Sequence, residues 1–200
     1  MPLPMVHLAV AVKLKDKLGI ADEGAFYLGA IAPDGIHMRE GAIQEDKLKS
    51  HMGMRGTRYE NEMNAKALIG QGDFLAGYAV HLVTDMYWHQ EVFETFYQKF
   101  KARFPDEDHR SAYYNDCDMI DLQLYREEPW AAGVYAALGN AHGEDAMDML
   151  TAEEVEQWRL RQLHWFEQDF SHLKPAEYIT RAQIDSYIDF AVKKCLAYFQ

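Results

Sequence analysis

Two hundred residues, 48% of them hydrophobic, are enough for one folded domain with a sizeable core. A net charge of −12 and a pI near 5.1 exclude the basic face that non-specific nucleic-acid binding requires. Cys117 and Cys195 are the only cysteines, too few for a disulfide framework or a thiolate zinc site.

Helical periodicity runs through the chain. Pro4 opens a first helix with apolar positions at Met5, Leu8, Ala9, Val12 and Leu18, and Gly19 closes it. No basic region precedes this apolar run, no small-residue cleavage site follows it, and lysines interrupt it too soon for a bilayer span. A cytoplasmic protein without a transmembrane segment is therefore expected. "ADEGAFYLGAIAPDGIH" reads as a short apolar helix entering a Pro-Asp-Gly turn. Residues 38–60, glycine-bearing and charged, suggest an irregular excursion with one short helix. From Gly72 to Phe104 the pattern predicts a single long helix stopped by Pro105. Helices over Asp108–Arg126 and Trp130–Leu138 follow, then one from Thr151 with a Thr cap and acids in its first turn. A terminal helix is expected from Lys174 onward. The expectation is an all-α helical bundle around a long central helix, one metal-binding domain spanning residues 1–200.

The central helix carries an unusual polar stripe. In "GYAVHLVTDMYWHQ", His81, Asp85 and His89 follow one another at intervals of four, a row that winds slowly around the helix among apolar neighbours. A buried carboxylate between imidazoles is costly unless it is paired, hydrogen-bonded or bound to metal. His81 and His89 stand roughly 12 Å apart along the axis, too far to share one ion at bond lengths of about 2 Å. Two ions bridged by Asp85 fit the spacing, an arrangement suited to phosphate-ester hydrolysis. Further ligands must come from other elements: His7 on the first helix, Asp34 in the "APDGIH" turn, His51 before Gly53, and Asp121 on the stripe with Cys117, Ile120 and Leu124. Imidazole and carboxylate donors without thiolate suit zinc, and also manganese or iron. The competing reading is a hydrogen-bonded polar seam between helices. For Asp121, core hydrogen bonding stands slightly ahead of ligation.

"MVH", "FYLGAIAPDGIH" and "FLAGYAVHLVTDMYWH" resemble the zinc-dependent phospholipase C family, which is related to the S1/P1-type nucleases. The likeness covers about residues 1–95. It implies an all-helical hydrolase with two or three zinc ions: Asp34, His51 and His81 around one, and His7, Asp85 and His89 at a neighbouring bridged pair. The family's later His-x3-Glu pair has no clear counterpart; Asp118, Asp121, Glu91 and His109 are the candidates to replace it. The expected function is a phosphoesterase acting on a small anionic phosphate ester through a metal-activated water, with Asp34 orienting or deprotonating that water. Arg39, Arg55 and Arg58 are placed to steer such a substrate. The alternative is a non-catalytic helical module that binds metal or a partner. An HD-type phosphohydrolase would need an adjacent His-Asp pair, which the sequence lacks.

Overall fold

The computed structural model describes residues 3–53 and 58–199, with backbone alone for 58–60. The protein is all-α, and among the described residues the only β-type pairing is an isolated bridge between Ala146 and Leu150. Helix α1 spans Pro4–Leu18, α2 Glu23–Ile31, a 3-10 helix Ala32–Met38, α3 Gln44–Ser50 and α4 Arg58–Ala67. Helix α5 (Asp73–Trp88) continues through a π-helical turn, His89–Phe93, into α6 (Glu94–Arg103). Helices α7 (Arg110–Glu127), α8 (Ala131–Asn140), α9 (Ala152–Trp165) and α10 (Arg181–Phe199) complete the order. No helix is long and apolar enough to cross a membrane.

Local signals explain most boundaries. Pro4 occupies the first turn of α1, where its missing N–H costs nothing, and Gly19 ends it at φ 67°, donating its N–H to Asp16 and Lys15 carbonyls. Asp22 caps α2 by accepting from Ala25 N at 3.0 Å. Thr151 and Glu154 form a reciprocal capping box at the start of α9. The long helix from residue 73 to 103 runs without a break as expected, but it carries the π turn at His89–Phe93.

Two expectations need correction. The chain from Lys174 to Thr180 is not helical, and α10 begins only at Arg181. The cause is Asp116, a buried carboxylate on α7 that accepts from Glu177 N, Tyr178 N and Ile179 N at 3.1, 2.7 and 2.9 Å. Three charge-assisted bonds hold those amides away from helical partners. The excursion over 38–60 contains α3 and the start of α4, so it is more regular than its glycines suggest.

One core runs through the molecule, and its tightest packing is between α2 and α5. A Cβ on Gly77 would lie 2.0 Å from Phe26 O, and one on Gly29 would lie 1.9 Å from Phe74 O. Only hydrogen fits at either position, so the two backbones touch. Arg39 ties the next layer together by donating to Glu154, Asp46 and Met149 O, which joins the 3-10 helix to α3 and α9.

Gly77→Ala should therefore destabilise the fold by about 2 kcal/mol or more, because a backbone, not a flexible side chain, must retreat. Gly133→Ala on α8, where an added Cβ meets nothing within 4 Å, should be neutral or stabilising by up to about 1 kcal/mol. Urea denaturation of both variants checks the contrast; equal effects would refute the contact.

Candidate metal centre

Five polar side chains meet inside the apolar core. His7 comes from α1, Asp34 from the 3-10 helix, His51 from the end of α3, and His81 and Asp85 from successive turns of α5. All five are buried, the most exposed being Asp85 at 8%. His7 Nε2 lies 3.5 Å from Asp85 Oδ1, while His51 Nε2 and His81 Nε2 lie 3.5 and 3.9 Å from Asp85 Oδ2. His51 Nε2 is also 3.6 Å from Asp34 Oδ1. His7 and His81 stack with ring centroids 3.8 Å apart.

These separations are too long for hydrogen bonds, which run from about 2.7 to 3.2 Å for N–H···O. Three of the four match ligand atoms that share an ion, and the 3.9 Å separation of His81 from Asp85 is slightly wider: bonds of about 2.0–2.2 Å in a tetrahedron place neighbouring donors about 3.3–3.6 Å apart. The tautomers agree. His81 Nδ1 donates to Ala30 O at 2.9 Å, since a carbonyl can only accept; with the Ser50 hydroxyl donating to Lys47 O, His51 Nδ1, 2.9 Å from Ser50 Oγ and 3.0 Å from Lys47 O, is a donor as well. In the neutral rings both Nε2 atoms then carry lone pairs aimed at carboxylate oxygens. Backbone partners of this kind orient ligating imidazoles.

Electrostatics points the same way. Burial pushes the His81 pKa well below its ordinary value, aided by His7, so this imidazole is neutral. Burial also opposes ionisation of Asp85, but His7 beside it, with His81 and His51, holds its carboxyl well below the usual range. Both Asp85 oxygens, Asp34 Oδ1 and the Nε2 atoms of His7, His51 and His81 are buried and make no hydrogen bond. A buried carboxylate with no hydrogen bond from the described residues is costly unless it is paired with positive charge. Two sets of converging ligand atoms, His7–Asp34–His81 and His51–His81–Asp85, could hold a metal ion.

Two expected ligands lie elsewhere. His89 is 72% exposed at its side chain, packs on Phe93 and faces Glu94 across 3.7 Å. It is the first residue of the π turn, and the winding of the stripe, about 40° per four-residue step, carries it off the buried row. Asp121 is buried and accepts from Met5 N at 3.3 Å, outside both ligand sets. Burial raises its pKa well above the ordinary value, so it fits a protonated carboxyl that anchors α1 on α7. Of the other candidates, Glu91 is exposed and His109 packs among Phe93, Phe96 and Tyr97. Arg39 is committed to its ion pairs, and Arg55 and the Arg58 side chain lie outside the described residues.

Beside Asp34 opens a cleft of about 700 Å³, bordered also by His37, Lys47, Asp118, Trp158 and Arg161. His37 is half exposed, and its Nε2 stands 3.8 Å from Asp34 Oδ1 because a 3-10 helix stacks residues three apart. Asp34 thus belongs both to the buried cluster and to the cleft. No family model, no curated protein and no solved structure matches this chain.

Elemental analysis should find a divalent metal in the wild type and in His89→Ala, and its loss in Asp85→Asn; metal-replete Asp85→Asn would exclude the carboxylate as a ligand. Asp121→Asn should keep the metal. Because the fold raises the Asp121 pKa, the wild type loses stability as pH climbs above the ordinary carboxylate range. The stability gain of Asp121→Asn should accordingly be larger near neutral pH than at about pH 4, as read from urea midpoints.

Proposed function

We propose that this chain is a metal-dependent hydrolase of phosphate esters, with zinc as the ion and Asp85 shared between two sites. The observation that carries the reading is the buried Asp85 carboxylate, unpaired at both oxygens and faced by three imidazoles. The order of His7, Asp34, His51, His81 and Asp85 and the resemblance of the first half to zinc-dependent phospholipases C support it. Divalent ions in such a setting supply Lewis acidity and a water ionised near neutral pH.

The chain's own residues would divide the work. His7, His51, His81 and Asp85 hold the ions, with His51 and His81 locked by Lys47 O and Ala30 O. Asp34, at the boundary between cluster and cleft, orients the attacking water and accepts its proton. Trp158 and Gln162, both buried, shield one wall of the cleft from solvent. A second reading rests on the depth of the cluster: an ion enclosed by α1, α3 and α5 would clamp those helices without catalysis.

The test is turnover of p-nitrophenyl phosphate and bis-(p-nitrophenyl) phosphate by zinc-loaded protein. Hydrolysis is expected, and Asp34→Asn should lower kcat by about 10²–10⁴-fold. A protein that holds stoichiometric zinc and cleaves neither ester would establish the clamp in place of the hydrolase.

A further inference from the structure

The cleft beside Asp34 has an uneven charge distribution. Lys47 and Arg161 border it from α3 and α9, and Asp118 and the buried Asp121 border it from α7. In a chain with 32 acidic and 20 basic residues, most cations near this region are already neutralised. Arg39 pairs with Glu154 and Asp46, Lys49 with Asp148, and Arg159 with Glu156. Among the described residues, the Lys47 ammonium and the Arg161 guanidinium pair with no carboxylate.

Both are held in place by other means. Lys47 sits one turn before His51 on α3, and its carbonyl accepts from the His51 ring, so its side chain leaves the helix beside a ligand residue. The Arg161 guanidinium carbon lies 5.4 Å from the Trp158 ring centre and 5.6 Å from that of Trp165. Stacking on two indoles restrains the guanidinium plane and leaves its N–H fork free for an anion. The two charges converge on one neighbourhood: both border the same cleft as His37, whose Nε2 stands 3.8 Å from Asp34 Oδ1. Asp118 is half-buried, and burial raises its carboxyl pKa.

We infer that Lys47 and Arg161 recognise a second anionic group on the substrate, so that the preferred ester carries a carboxylate or a further phosphate on its leaving group. This rests on the phosphoesterase reading for the position of the scissile phosphate. The cleft, at about 700 Å³, has room for such a molecule beyond one phosphoryl group.

The experiment is calorimetric titration with two non-hydrolysable ligands of equal chain length, 3-phosphonopropionate and propylphosphonate. They differ in one terminal carboxylate. The zinc-loaded wild type should bind 3-phosphonopropionate about tenfold or more tightly than propylphosphonate. Lys47→Gln and Arg161→Gln should each erase most of that preference while changing propylphosphonate affinity less than about twofold. Both side chains are at least partly exposed, so neither variant threatens the fold. Arg161→Lys, which keeps the charge and loses the fork, should recover only part of the preference. Equal affinity for the two ligands, or a preference that survives both glutamine variants, overturns the inference. Repeating the titration on zinc-free protein separates the two claims. There the ratio between ligands still reports on Lys47 and Arg161, whereas metal content and turnover report on the hydrolase reading.

Discussion

Gly29 and Gly77 let the backbones of α2 and α5 lie directly on each other, and the geometry of the buried cluster follows from that contact. With α2 so close, Ala30 O comes within 2.9 Å of His81 Nδ1 and selects the tautomer whose Nε2 faces Asp85. The 3-10 helix that continues α2 then delivers Asp34 to the same point, and α1 packs beside both with His7. A side chain at either glycine would separate the helices and turn an ordered set of donors into scattered polar groups in an apolar core.

The cluster's polar atoms are largely unmatched by the described residues. Two carboxylates and three imidazoles are buried, yet only two of the ring nitrogens have bonds, His81 Nδ1 to Ala30 O and His51 Nδ1 to Lys47 O and Ser50 Oγ. A hydrogen-bonded seam would show donors and acceptors at bonding distance, as Asp116 does with three amides. Here the facing atoms stand 3.5–3.9 Å apart. Asp121 provides the contrast within the same core: its neighbour is an amide, its charge is suppressed by burial, and it needs no cation.

Much of this was legible in the sequence where the relevant interaction is local. The four-residue spacing of His81 and Asp85 reports one helix face, and Pro4, Gly19 and Thr151 mark helix ends through their own backbone chemistry. The same periodicity misplaced His89, because a row of four-residue steps winds about 40° per step and leaves the buried face near the end of α5. The late start of α10 was hidden for another reason: the amides of residues 177–179 answer to a carboxylate more than sixty positions earlier. The cleft was equally invisible. Lys47 and Arg161 are 114 positions apart and look like ordinary solvated charges until α9 packs on the 3-10 helix. The resemblance in the first half suggested which distant ligands would meet, but it could not say that Asp121 would stay with Met5.

The most direct test of a cation at the heart of this fold is anomalous diffraction at the zinc absorption edge, from crystals of zinc-supplemented protein. The account predicts strong anomalous density between the Asp85 carboxylate and the Nε2 atoms of His7, His51 and His81. A featureless map there, with the imidazoles drawn into hydrogen bonds with the carboxylates, would contradict it.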